Sequence, residues 1–176
     1  MASAQHNLST YNVADTPSAH DFSFGIAVAD WNAHITHALY TGCYDTLLQH
    51  GALPENIQTV QVPGAFELTA AAAMLVQNKK LDAVICLGCV IKGETDHNEY
   101  INNAVAQGLT QLGIVTGRAF IFGVLTPNDE QQALDRAGGK HGNKGIEAAQ
   151  TAIRMADLRK NLQKNSSGKP AIGFGG

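Results

Sequence analysis

The chain has 176 residues, 44% of them hydrophobic, 15% charged and 6% aromatic, with a formal net charge of −3. That length makes one domain able to bury a real core, and the apolar fraction excludes wholesale disorder. With 12 basic against 15 acidic residues and no dense basic stripe, nucleic acid is not an expected partner, and the longest apolar run, residues 70–76, stops well short of the about 20 residues a membrane span needs.

Residues 1–21 carry Ser, Thr, Pro and Asn without periodicity and read as a flexible arm with no secretory signal; residues 22–159 read as the single domain. Residues 22–29 are a short apolar run, the first predicted strand, ending at Asp30. Asn32 is placed to cap a helix with Ile35, Leu39, Cys43 and Leu47 on one stripe, stopped by Gly51. A second strand over residues 57–62 closes at Pro63-Gly64, and Leu68, Ala72 and Leu75 mark a second helix. Residues 81–91 are nearly continuously apolar, as expected of a strand buried on both faces. A third helix follows Thr95, with Ile101, Ala104, Val105, Gly108 and Leu112 facing inward, and residues 119–125 give a fourth strand. Two final helices bracket Gly138-Gly139, the second burying Ile146, Ala149, Ile153 and Ala156. Residues 160–176, rich in Lys, Asn, Ser and Gly, read as a mobile tail. Four strands interleaved with helices predict a parallel sheet covered on both faces, a three-layer α/β/α sandwich.

In such sheets the ligand crevice lies at the carboxyl ends of the strands. Those ends carry Trp31-Asn32, Gly64-Ala65-Phe66-Glu67, residues 89–97 and residues 122–126. Trp31, the only tryptophan, is either a helix-start residue packed on a neighbour or a planar surface for a heterocycle. His97 falls in the first turn of the third helix, and near the positive end of a helix an imidazole is held neutral, ready to accept a proton. Gly93-Glu94-Thr95 just before it offer amide groups suited to a phosphate. Arg136, Lys140, His141 and Lys144 surround Gly138-Gly139 and Gly142, forming either a solvated basic loop or an anion clamp in which Arg136 grips phosphate through its planar fork. Cys86 and Cys89 form a C-x-x-C, but inside a strand residues three apart point to opposite faces, so a metal site is rejected. His34 and His37 lack a third ligand and read as surface groups. Three cysteines, an odd count in a chain with no export signal, point to reduced thiols and a cytoplasmic location.

The stretches FGIAVADWN, VPGAFEL, GCVIKGETDHNEY, FGVLTPNDEQQALDRAGG and GNKGIEAA, in this order, closely resemble the lumazine synthase family of riboflavin biosynthesis, over essentially residues 22–158. The resemblance implies a flavodoxin-like four-stranded parallel sheet and no metal or organic cofactor. It implies condensation of 5-amino-6-(D-ribitylamino)uracil with 3,4-dihydroxy-2-butanone 4-phosphate to 6,7-dimethyl-8-ribityllumazine, releasing phosphate and water. By position it implies that Trp31, with Asn32, meets the pyrimidine, that Ala65, Phe66 and Glu67 hold the ribityl chain, and that Cys89, Val90 and Ile91 contact the pyrimidine edge. Glu94 and Thr95 fall near the phosphate, and His97 takes the proton-transfer role. Phe122 and Arg136 match groups given by a neighbouring subunit, with Arg136 on the phosphate, and Lys144 and Glu147 match a nearby charged pair. Asn98 departs from the pattern, where many members carry an aromatic. The family assembles as pentamers, decamers or icosahedral shells of twelve pentamers, some enclosing riboflavin synthase; the connection over residues 138–145 carries no insertion, which favours the 60-subunit shell. A riboflavin synthase acting on lumazine and a non-catalytic flavin or lumazine carrier are the competing expectations.

Overall fold

The computed structural model describes residues 16–166. Strands β1 (Phe24–Ala29), β2 (Ile57–Val62), β3 (Ala83–Cys89) and β4 (Ala119–Leu125) pair in parallel in the order β2-β1-β3-β4, with Phe24 opposite both Ile57 and Ala83, and Ala83 opposite Ala119. Helices α1 (Ala33–Gln49) and α5 (Lys144–Ser166) cover one face; α2 (Leu68–Asn78) and α3 (His97–Thr116) cover the other. The period of two in a strand explains how β1 and β3 serve both layers. Ile26, Val28, Ile85 and Leu87 pack under Leu39 of α1 and Ile153 of α5, while Ala27, Val84 and Cys86 pack under Leu68 and Leu75 of α2 and Val105 of α3. Every residue of β1 and β3 is therefore buried, the arrangement a central parallel strand requires.

The stripe Ile35, Leu39, Cys43 and Leu47 is fully buried as the spacing predicts. On α3 the expected stripe holds for Val105, which is buried, and for Ile101 and Leu112, half-buried against the same core; Leu109 is buried as well, and Ala104 is exposed. Two helices bracket Gly138-Gly139 as expected, and the segment between them is a hairpin. The short helix α4 (Glu130–Asp135), capped by Asp129, whose Oδ1 accepts from the Gln132 amide at 2.8 Å, leads into an antiparallel hairpin, β5 (Ala137–Gly139) and β6 (Gly142–Asn143). Gly138 and Gly142 take φ of 118° and 82° there, left-handed values open to glycine.

Order extends further at both ends than the composition suggests. Ala19, inside the expected arm, is fully buried, and its amide donates to the His50 carbonyl at 2.8 Å. Helix α5 continues through Ser166, past the expected start of the tail at residue 160. Lys160 explains part of this: its ammonium lies 2.9 Å from Asp21 Oδ2 and 5.2 Å from the centre of the Phe22 ring, tying the two ends together. The rest of the expected arm, residues 1–15, and of the tail, residues 167–176, lies outside the described residues.

The α1–α5 crossing depends on close approach. Asn143 Nδ2 donates to the Ala38 carbonyl at 2.9 Å, and Asn143 Oδ1 accepts from the Gly145 amide at 2.8 Å. A methyl at Gly145 would overlap the carbonyl of Leu39. Gly145→Ala is expected to lower stability by about 1–3 kcal/mol, the cost of overpacking a closed contact. Thermal unfolding checks it; an unchanged midpoint would mean that α1 and α5 separate freely.

Candidate active site

The order β2-β1-β3-β4 has its switch point between β1 and β3, whose outgoing chains leave for opposite layers, and an open sheet binds ligands at such a point. A crevice of about 600 Å³ lies there. Trp31 and Asn32 reach it from the end of β1, residues 63–67 from the end of β2, and residues 89–91 from the end of β3. Gly93, Thr95, His97, Asn98 and Ile101 complete the wall from the loop and first turns that open α3.

Trp31 is 73% exposed and lines the crevice. Asn32 occupies the N-cap position of α1, but its side chain makes no cap hydrogen bond. The expected cap is corrected: Asn32 Nδ2 donates instead to the Cys89 carbonyl at 3.0 Å. After β2, Ala65–Glu67 form one 3₁₀ turn leading into α2, with Ala65 buried and Phe66 and Glu67 exposed. The amino end of α3, where the first turn of any helix has unpaired amides, borders the crevice beside Thr95 and the exposed His97.

Cys89 lines the crevice, yet burial, helped by the charge of Glu130, pushes its thiol up to about 11, so at neutral pH it is a protonated wall atom and not a nucleophile. Burial pushes Cys86 up to about 12. The two belong to core clusters on opposite faces of the sheet, as the strand period predicts. His34 is exposed and pairs through Nε2 with Glu130 Oε1 at 2.8 Å.

Several expected site residues lie apart from this crevice. Glu94 is exposed on the loop before α3, and Phe122 sits half-buried on β4 against the α2–α3 layer. Arg136, Lys144 and Glu147 form their own cluster beyond α4. Arg136 Nη2 is 2.8 Å from Glu147 Oε1, Arg136 Nη1 donates to the His141 carbonyl at 2.8 Å, and Lys144 Nζ donates to Glu147 Oε2 at 3.2 Å. Next to it Lys140 pairs with Asp135 at 2.9 Å; that hydrogen bond, with one from Gln131, holds the Asp135 carboxyl below the usual range. Pro63 and Asn98 line the crevice without having been singled out as binding residues. For Asn98 the available signal was its place next to His97.

This arrangement defines a class: a flavodoxin-like α/β protein whose switch-point crevice brings together an exposed indole, a histidine and a helix amino end, suited to a planar polar ligand carrying an anionic group. Residues 21–160 match the sequence model of the family described as 6,7-dimethyl-8-ribityllumazine synthase. The chain is 52% identical over 160 residues to the 6,7-dimethyl-8-ribityllumazine synthase of Porphyromonas gingivalis, covering 91% of this chain and 99% of that one. It is 50% identical to the protein of the same description from Parabacteroides distasonis, over 90% of this chain and 99% of the relative. For that from Cytophaga hutchinsonii the identity is 52%, over 88% and 97%. The chain belongs to the 6,7-dimethyl-8-ribityllumazine synthase family.

Proposed function

We infer that the chain is a transferase that condenses 5-amino-6-(D-ribitylamino)uracil with 3,4-dihydroxy-2-butanone 4-phosphate, giving 6,7-dimethyl-8-ribityllumazine, phosphate and water. The observation that carries this reading, beside family membership, is the convergence of Trp31, Thr95, His97 and the amino end of α3 on one crevice of about 600 Å³. Trp31 stacks on the pyrimidine, residues 65–67 hold the ribityl chain, and residues 89–91 meet the pyrimidine edge. The backbone amides of Glu94 and Thr95 and those opening α3 receive the phosphate, and His97 moves protons. The uracil amine attacks the ketone and the carbinolamine loses a first water to give an imine, phosphate leaves by elimination, and ring closure loses the second water. None of these steps needs an electrophile stronger than a positioned proton. Holding two reactants together can remove roughly 7–11 kcal/mol of barrier, whereas one acid–base residue gives about 10²–10⁴-fold, so positioning is the larger contribution. The test supplies both substrates and follows lumazine absorbance together with loss of the ketone phosphate; a chain that binds the pyrimidine but leaves the ketone phosphate intact overturns the reading.

The finer points are assembly and location. Phe122 and Arg136 act on the crevice of a neighbouring subunit in a homo-pentamer, Lys144 and Glu147 support Arg136, and twelve pentamers close into a shell able to enclose riboflavin synthase. Uncovered apolar surface supports association: Ile114 and Val115 on α3 are 77% and 83% exposed, and a groove of about 790 Å³ runs between α3 and α5 beside the edge strand β4. The short hairpin between α4 and α5 supports the shell over smaller assemblies. Sedimentation at neutral pH is expected to give a 60-subunit particle; a lone pentamer across buffers would sink the shell, and an active monomer the shared site. The location is read as cytoplasmic, with Cys43, Cys86 and Cys89 as free buried thiols. Among the described residues no helix is long and apolar enough to cross a membrane.

A further inference from the structure

Among the described residues Asn32 is the one non-glycine with a positive φ, 60° with ψ of 47°. A left-handed backbone at an L residue costs free energy and persists where its surroundings over-determine it. Asn32 is held on three sides. Its carbonyl accepts from the amides of Ile35 and Thr36 at 2.9 and 3.1 Å, opening α1, and its Nδ2 donates to the Cys89 carbonyl at 3.0 Å. That side-chain bond joins the end of β1 to the end of β3. On the other flank, the amides of Asp30 and Trp31 donate to the carbonyls of Val62 and Pro63 at 2.8 and 3.1 Å, joining the same turn to the end of β2. The turn bearing Trp31 is thus fixed from both neighbouring strands, while the indole, 73% exposed, has little packing of its own to orient it.

We propose that Asn32 is a positioning residue: its left-handed backbone and its bond to the Cys89 carbonyl set the plane in which Trp31 receives the pyrimidine. This rests on the stacking role given to Trp31 under Proposed function. The residue type fits the task. Asn, Asp and Gly tolerate the left-handed conformation, but of these only Asn also carries a donor for a carbonyl. An aspartate would set a carboxylate against the Cys89 oxygen; a glycine keeps the backbone and drops the bond.

Because Trp31 is the only tryptophan, intrinsic fluorescence of the full chain reports this one side chain. In Asn32→Gly and Asn32→Asp the anisotropy of Trp31 emission is expected to fall. The KM for 5-amino-6-(D-ribitylamino)uracil is expected to rise about five- to tenfold, the size of one hydrogen bond, and to exceed any change in the KM for the ketone phosphate. Unchanged anisotropy and unchanged KM in Asn32→Gly overturn the proposal, as does an equal rise in both KM values, which would make Asn32 a general structural support. If the pyrimidine fails to quench Trp31 in the unaltered chain, the stacking role falls and takes the proposal with it. Quenching in the unaltered chain with identical behaviour in Asn32→Gly removes the proposal alone.

Discussion

His97→Ala is expected to slow turnover at saturating substrate by about 10²–10⁴-fold, the range that one acid–base side chain supplies. The imidazole occupies the first residue of α3 and faces the crevice where Thr95 and the helix amides border it. Trp31 and residues 65–67, the proposed contacts of the pyrimidine and its ribityl chain, stand on other elements, at the ends of β1 and β2. Pyrimidine binding, followed through Trp31 fluorescence, is therefore expected to hold while turnover falls. The residual rate should stay above that of the free reactants, because the crevice still brings the amine and the ketone together, worth roughly 7–11 kcal/mol. A variant that keeps near-normal turnover would remove His97 from the mechanism and leave positioning alone.

What the sequence revealed and what it hid divide along physical lines. β1 and β3 were legible because burial on both faces makes each a continuous apolar run, and α1 because its one buried face imposes the 3.6 period on Ile35, Leu39, Cys43 and Leu47. The β5–β6 hairpin was not, since three residues paired with two are too short to show alternation, and its glycines read equally well as a loop. The continuation of α5 was hidden by composition. Lys, Asn and Ser after residue 160 look like a tail, while the anchor that orders Lys160 is Asp21, far away in the chain. Trp31, Thr95 and His97 could be placed together because a parallel sheet gathers its loops at one edge. Asn32 was placed correctly at the start of α1 but given the wrong partner, because its bond to Cys89 depends on which strands are neighbours, a property of topology and not of local pattern.

Arg136→Ala is expected to weaken productive binding of the ketone phosphate by about ten- to a hundredfold, since a hydrogen bond to a charged group contributes roughly 1.5–3 kcal/mol. Within its own chain the guanidinium is held by Glu147 and the His141 carbonyl, which leaves part of its five-donor fork for another anion and fixes the direction in which that part points. Lys144 shares the Glu147 carboxylate, so the cluster keeps a net positive charge toward an incoming phosphate. Affinity for the ribitylaminouracil should stay level; if both substrates weaken equally, Arg136 is structural. Arg136 is absent from the walls of its own crevice, so its proposed action crosses a subunit boundary, and mixing provides a sharper check than either variant alone. Chains carrying His97→Ala supply intact arginines, and chains carrying Arg136→Ala supply intact histidines. Dissociated, mixed and reassembled, they should form some crevices with both groups and regain activity at low ketone phosphate beyond the sum of the separate variants. Mixed assemblies no more active than that sum would mean that Arg136 does not serve a neighbour's crevice, and the shared active site would fall with it.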